Sequence, residues 1–256
     1  MKDECFNLNL GYISNLFEME DGMVIVLINY KLMLLDIKKV NFGKIEFISR
    51  VIPIIARLSN DKFLMIEFNI QGSIYKYNNK QLLFEKKIIL SSLKKIISPP
   101  YVLALNEKEI AIIYTEEAFA MTSYNYYIGF FDIEKDKKIK SFAINKGKFA
   151  VCKFNEKLLI VGSGSSIIMI DLLKHAKKRD VKLKENSNIH SIVALNEKQI
   201  IVAQNNFTHQ FELDKDYNLK LIYTINFGSH SLYKYPKNRL LLIQYEPCPR
   251  VMLLFG

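Results

Sequence analysis

The sequence predicts an all-β chain, a single β-propeller of six four-stranded blades closed by the N-terminal strand pairing in the C-terminal blade. Two observations lead there. A turn phrase recurs six times along the 256 residues at a mean period near 43. Between its copies lie short apolar runs, four to a period, and helical periodicity never lasts ten residues. A lone four-stranded sheet cannot cover both of its faces, but stacked neighbours can, so four-strand units at this period point to radially repeated sheets.

The turn phrase is clearest in Leu105-Asn106-Glu107-Lys108, Phe154-Asn155-Glu156-Lys157 and Leu195-Asn196-Glu197-Lys198. Weaker copies are Met19-Glu20-Asp21-Gly22, Leu58-Ser59-Asn60-Asp61 and Tyr235-Pro236-Lys237-Asn238. Each places turn-forming residues between two apolar runs. A first strand follows each copy: Met23–Ile28, Phe63–Phe68, Ile110–Tyr114, Leu158–Val161, Ile200–Ala203 and Leu240–Tyr245. A polar or glycine-containing turn comes next, such as Gly162–Ser166. The second strand often closes on Asp, at Asp36, Asp132, Asp171 and Asp214. A Lys-rich loop leads to a third strand, such as Lys140–Ile144 or Leu219–Ile225, and a fourth returns to the next turn. Ile, Leu, Val, Phe and Tyr dominate these runs, as strands packed on both faces require. Ile88–Ile97 is the best helical rival, but it carries Lys pairs where an apolar face should run. The expected repeat units are 11–49, 50–92, 93–144, 145–184, 185–225 and 226–256 with 1–10, in one domain over 1–256.

The last unit lacks an outermost strand, and the first is preceded by a surplus one, Cys5–Leu10. Pairing of that strand beside Val251–Phe255 would close the ring and remove an exposed edge. It would also bring Cys5 and Cys248 into one blade. The three cysteines, Cys5, Cys152 and Cys248, have no zinc spacing and read as reduced thiols.

The succession of turn, strand, turn and strand ending in Asp resembles the WD-repeat propeller family. Asp36, Asp132, Asp171 and Asp214 stand where that family has its terminal Asp, and Leu35, Phe131, Ile170 and Leu213 where it has Trp. The chain contains no Trp, and the family's Gly-His dipeptide is largely missing. His190-Ser191 and His230-Ser231 lie near its place. The resemblance implies a non-catalytic scaffold for protein–protein interaction, a subunit of a larger assembly whose partners are other proteins. The sealed arrangement of strands is likewise similar to strand-exchange closure in propellers.

Composition bounds the alternatives. Net charge is +10, with 36 basic and 26 acidic residues. A basic surface can draw a chain to nucleic acid or anionic lipid. Lys outnumbers Arg by 31 to 5, however, and Arg is the usual choice for bidentate phosphate contacts. An excess of Lys, Ile and Asn is what an AT-rich coding sequence gives. The densest basic run holds Lys174, Lys177, Lys178, Arg179, Lys182 and Lys184, and is read as a loop between the third and fourth strands of one blade. It is the candidate patch for the alternative function, polyanion binding to nucleic acid or phosphoinositide. No aromatic residues interleave with it, and the Phe-Arg-Arg-Gly motif of phosphoinositide-binding propellers is absent.

No enzyme activity, cofactor or metal is expected. The four strand-terminal aspartates fall in different units, so they are read as turn caps rather than a catalytic pair. His175, His190, His209 and His230 lack converging ligands. Gly162-Ser163-Gly164-Ser165-Ser166 lies between strands and reads as a hairpin turn, not a phosphate loop. An insertion in the third unit, Thr115–Tyr126, is the strongest candidate contact surface. Phe119, Met121, Tyr124, Tyr126 and the following Tyr127 are the residue types that anchor protein interfaces. No apolar stretch approaches the ~20 residues of a membrane-spanning helix, and the first twenty residues show no secretory signal. The expected location is intracellular and cytoplasmic, with the nucleus allowed by the basic run.

Overall fold

The computed structural model describes residues 13–19, 21, 23–28, 31–36, 41–48, 54–66, 71–90, 101–117, 124–144, 148–228, 231–235, 239–244 and 250–254. Among them every regular element is a strand, and the strands form six antiparallel sheets. Sheet one runs β1 (Ile13–Glu18), β2 (Met23–Ile28), β3 (Lys31–Asp36), β4 (Asn41–Ile48), in that spatial order. Sheet two runs β5 (Ile54–Arg57), β6 (Lys62–Ile66), β7 (Gln71–Asn78), β8 (Gln81–Ile89). Sheet three runs β9 (Tyr101–Ala104), β10 (Glu109–Glu117), β11 (Tyr124–Asp132), β12 (Lys137–Ile144). Sheet four runs β13 (Phe149–Asn155), β14 (Leu158–Ser163), β15 (Ser166–Asp171), β16 (Ala176–Lys182). Sheet five runs β17 (Ile189–Ala194), β18 (Gln199–Gln204), β19 (Thr208–Leu213), β20 (Leu219–Ile225). Sheet six shows three strands, β21 (Ser231–Tyr235), β22 (Arg239–Gln244) and β23 (Arg250–Leu254). The segment Cys5–Leu10, expected beside β23, lies outside the described residues, as do Cys5 and Cys248.

The chain divides into two compact units, Met1–Phe142 and Ala143–Gly256. Within the first, β6 shows how the sequence specifies the packing. Phe63 and Met65 join a core with Met23, Ile25, Leu32 and Leu34 of sheet one. Leu64 and Ile66, pointing the other way, join a core with Ile110, Ile112, Tyr114 and Phe131 of sheet three. A strand between two sheets must be apolar on both faces, so the run reads continuously apolar instead of alternating. The second unit repeats the arrangement. Ile200 and Val202 of β18 face Leu158 and Ile160 of sheet four, while Ile201 and Ala203 face Leu232 of sheet six. The middle strands β14 and β15 are buried along their whole length, whereas the outer strands β16 and β20 are largely exposed.

The recurring phrase has a local cause. Asn106 Oδ1 accepts from the amides of Lys108 and Glu109, both at 2.9 Å. Asn155 Oδ1 accepts from Lys157 N at 2.8 Å and Asn196 Oδ1 from Lys198 N at 2.9 Å. In sheets three, four and five the asparagine side chain thus replaces a backbone turn bond and folds the hairpin between the first two strands. The Lys carbonyl that ends the phrase is also used. Lys108 O accepts from Ile133 N at 2.8 Å, Lys157 O from Leu172 N at 2.9 Å and Lys198 O from Leu213 N at 2.7 Å. Each phrase is thereby tied to the strand end that carries, or adjoins, the aspartate of its own sheet.

Those aspartates cap the next turn. Asp132 Oδ1 accepts from the amides of Glu134 and Lys135 at 3.0 Å. Asp171 Oδ1 accepts from Leu173 N at 2.9 Å and Lys174 N at 3.0 Å. Asp214 Oδ1 accepts from the amides of Asp216 and Asn218 at 2.8 Å. In these turns Asp136, His175 and Tyr217 adopt left-handed φ of 48°, 44° and 61°. The Gly162–Ser166 stretch is the β14–β15 hairpin, with Gly164 at φ 59°.

Candidate interaction surfaces

The β10–β11 hairpin is built outward from a buried core. Its register is continuous from Glu109↔Asp132 to Glu117↔Tyr124. On one side, among the described residues, β9 pairs with Ile110–Ile113. The part from Tyr114 to Glu117 and from Tyr124 to Tyr127 therefore lies beyond the described part of β9. The insertion expected as a loop over Thr115–Tyr126 is corrected here. Both of its ends continue the ladder, because Tyr114↔Tyr127 and Thr115↔Tyr126 extend an apolar pairing already under way.

An aromatic ladder holds this hairpin to the core. Tyr127, Gly129 and Phe131 share one face of β11 by strand alternation. Phe131 is fully buried, and Tyr114 lies edge-on to it at 6.3 Å between ring centroids. Tyr127 is half-buried and stacks on Tyr114 at 5.7 Å. Gly129 leaves room for both rings, since a Cβ there would meet Phe131 Cε2 at 2.8 Å and Tyr114 Cε1 at 2.9 Å. Of the five residues expected to meet a partner, Tyr127 faces this ladder and Tyr126, half-buried, lies on the opposite face. Tyr124 opens β11. Phe119 and Met121 lie outside the described residues.

The basic run is not a loop, which is a second correction. Lys177, Lys178, Arg179 and Lys182 belong to β16, the outer strand of sheet four; Lys174 lies in the turn before it and Lys184 follows it. A strand at a sheet edge is commonly protected by charge, and the Lys-rich composition is that protection. Several of these charges are already engaged. Lys177 Nζ lies 2.5 Å from Asp180 Oδ2, and Lys178 Nζ 3.3 Å from Asp171 Oδ2. Lys178 Nζ also sits over the Tyr217 ring, 4.9 Å from its centroid.

The turn aspartates hold their charge strongly. Burial raises the pKa of Asp171, but the Lys174 amide, the Lys178 ammonium and the Leu173 amide outweigh it and leave the carboxyl below its ordinary value. The Asn218 side chain and amide lower Asp214 in the same way, and the Lys135 amide leads the lowering of Asp132. Each of these carboxylates caps its own turn.

Two histidines are placed by hydrogen bonds. His190 Nε2 meets Asn205 Oδ1, and its Nδ1 lies 3.3 Å from Lys148 Nζ. His230 lies outside the described residues. His209 is buried, 2% exposed, between Phe207 and Phe211. The Gln204 amide donates to Ser187 O at 2.7 Å and Glu185 O at 3.3 Å, which turns its Oε1 toward His209 Nε2 at 3.1 Å. His209 must therefore carry its proton on Nε2, and Nδ1 accepts from the Thr224 hydroxyl at 3.0 Å. Sequence reasoning gave this histidine no role, since its partners arrive from three other segments. Among the described residues no three His, Cys, Asp or Glu side chains come together as a metal site.

Burial pushes the His209 pKa below its ordinary 6.5, and Glu185, 3.6 Å away, only partly restores it. The unfolded chain therefore binds the proton more readily than the folded one. The stabilisation is complete above about pH 6.5 and is lost progressively below it, until the folded-state pKa is passed. The urea midpoint of the wild type should fall between pH 7.5 and pH 5 by more than that of His209→Gln. Parallel pH profiles would contradict this assignment.

Comparison with solved structures places these surfaces on a known fold. One chain in the crystal structure of the mitotic checkpoint complex is similar over 98% of this chain and 77% of its own, with a TM-score of 0.70 at 10% identity. The structure of U3-55K is similar over 89% of this chain and 72% of its own, with a TM-score of 0.68 at 10% identity. The fold is a WD-repeat-like β-propeller. No protein-family model matches the chain, and no curated protein does. At this identity the likeness carries the fold alone. In propeller terms β16 and β20 are outer strands of their blades, and the β10–β11 hairpin is an elongated pair of middle strands. No helix among the described residues is long and apolar enough to cross a membrane.

Proposed function

We propose that this chain is a non-catalytic scaffold for protein–protein interaction, a propeller subunit of a larger assembly. The observation that carries the reading is the β10–β11 hairpin. It extends beyond the described part of β9, places Tyr126 on one face and is anchored on the other through Tyr127, Tyr114 and Phe131. A rigid aromatic hairpin loses little conformational freedom on binding, which is what an interface anchor needs. The similarity to a chain of the mitotic checkpoint complex, itself a protein assembly, supports the same reading. In this proposal the six sheets are six blades of one ring, with Cys5–Leu10 completing the sixth beside β23. Polyanion binding through β16 is the competing proposal. The engagement of Lys177 and Lys178 by Asp180 and Asp171 weighs against it.

Affinity capture from source cells in low and high salt tests the reading. The wild type is compared with Tyr124→Ser/Tyr126→Ser/Tyr127→Ser and with a variant neutralising Lys177, Lys178 and Arg179. A defined protein set retained in high salt and lost with the tyrosines is the expected result. Recovery of nucleic acid or lipid that salt releases, lost with the basic run, would overturn it.

A further inference from the structure

The outer strands of the sheets share a device, and one of them departs from it. Each of β8, β16 and β20 carries a bulge opposite its neighbour. The pairs Ile74↔Lys86 and Tyr75↔Phe84 leave Glu85 as the extra residue of β8. Met169↔Arg179 and Ile170↔Lys177 leave Lys178. Gln210↔Tyr223 and Phe211↔Leu221 leave Ile222. At this equivalent position Glu85 meets Lys62 at 3.8 Å and Lys178 meets Asp171 at 3.3 Å. Charge at a bulged edge is how sheets resist joining other strands. Ile222 abandons that protection.

The rest of β20 follows Ile222. Its sequence, Leu-Lys-Leu-Ile-Tyr-Thr-Ile, holds one charge, Lys220, against Lys177, Lys178, Arg179, Asp180 and Lys182 on β16. Leu221, Ile222 and Tyr223 are 52%, 44% and 60% exposed in succession, and no strand lies on the outer side of β20 among the described residues. The bulge breaks the alternation of sides and exposes three residues in a row, as it does on β8, but only on β20 among these three strands are all three apolar.

We infer that the outer edge of β20, centred on Ile222, is a docking surface for an extended acidic segment of a partner protein, laid along it as an added strand. The chemistry of the edge identifies the occupant. An unpaired row of backbone amides and carbonyls is matched by another extended backbone, whose alternate apolar side chains would cover Leu221 and Tyr223. A second copy of this chain fits poorly. Two rigid edges meeting antiparallel would oppose their bulges at Ile222, and each chain carries a net charge of +10. A flexible segment can follow the bulge, and acidic residues suit both the net charge and Lys220, since β20 itself has no acidic residue. The basic strand β16 also lies near the Leu219 end, because Lys178 reaches the ring of Tyr217 in the turn before β20.

The inference rests on the scaffold reading in that the occupant is a protein, but it uses a different surface. Capture through the β10–β11 hairpin is measured with β20 intact, so either can fail alone. The test selects random nonapeptides displayed on phage against the full chain, with counter-selection on Leu221→Lys/Tyr223→Lys. Those side chains are exposed, so the variant should melt with the wild type, and Ile222→Glu provides a second, independent disruption. The expected result is enrichment of peptides alternating apolar and acidic residues. A synthetic copy should bind at least about ten-fold more weakly to either variant, and to the wild type once its backbone amides are N-methylated at alternate positions. No enrichment that depends on β20, or binding indifferent to N-methylation, would overturn the inference. So would a dimer in sedimentation velocity that the same variants dissolve, since the occupant would then be a second copy.

Discussion

Phe131→Ala should lower stability by about 3–5 kcal/mol, the usual cost of removing a buried aromatic ring and leaving its cavity. The residue is fully buried and belongs to the core that joins sheets two and three. Its ring also supports Tyr114, and Tyr114 supports Tyr127. At about 2–4 °C per kcal/mol for a chain of this size, the melting temperature should fall by about 10 °C. Because the ladder continues into the hairpin, the variant should also expose the hairpin amides to faster hydrogen exchange than a loss of the same size elsewhere. A melting temperature within about 2 °C of the wild type would show that the core has been misassigned.

Gly129→Val should also destabilise, and here the sign is informative. In the middle of a strand, valine is favoured over glycine by up to about 1 kcal/mol on propensity alone. Packing opposes this, since even the first carbon of the side chain would stand 2.8 Å from Phe131 Cε2 and 2.9 Å from Tyr114 Cε1. Overpacking of this kind costs about 1–3 kcal/mol, so a net loss of about 1–2 kcal/mol is expected in urea unfolding. A gain in stability would mean that Gly129 is not the gap into which the ladder fits.

The architecture was legible because it is written in local chemistry. Asn106, Asn155 and Asn196 each bond the amides that follow them, and Asp132, Asp171 and Asp214 each cap the next turn. Such residues leave a periodic trace in any sequence. The continuous burial of β14 and β15 was readable for a related reason, since strands covered on both faces cannot alternate. The outer strands were harder. β16 reads as a solvated loop because edge protection and loop composition both call for lysine. The insertion reads as a loop because Glu116, Glu117 and Asn125 carry little strand signal of their own, while their ladder is specified by Tyr114↔Tyr127 beside them. His209 was illegible for the opposite reason: Gln204, Thr224 and Glu185 reach it across the fold, and no spacing announces them.

The most direct test of the scaffold account is amide hydrogen exchange on the chain alone and in the assembly captured with it. The account predicts added protection over residues 114–117 and 124–127 of the β10–β11 hairpin. Unchanged exchange there, with protection confined to residues 174–184 and abolished by salt, would contradict it.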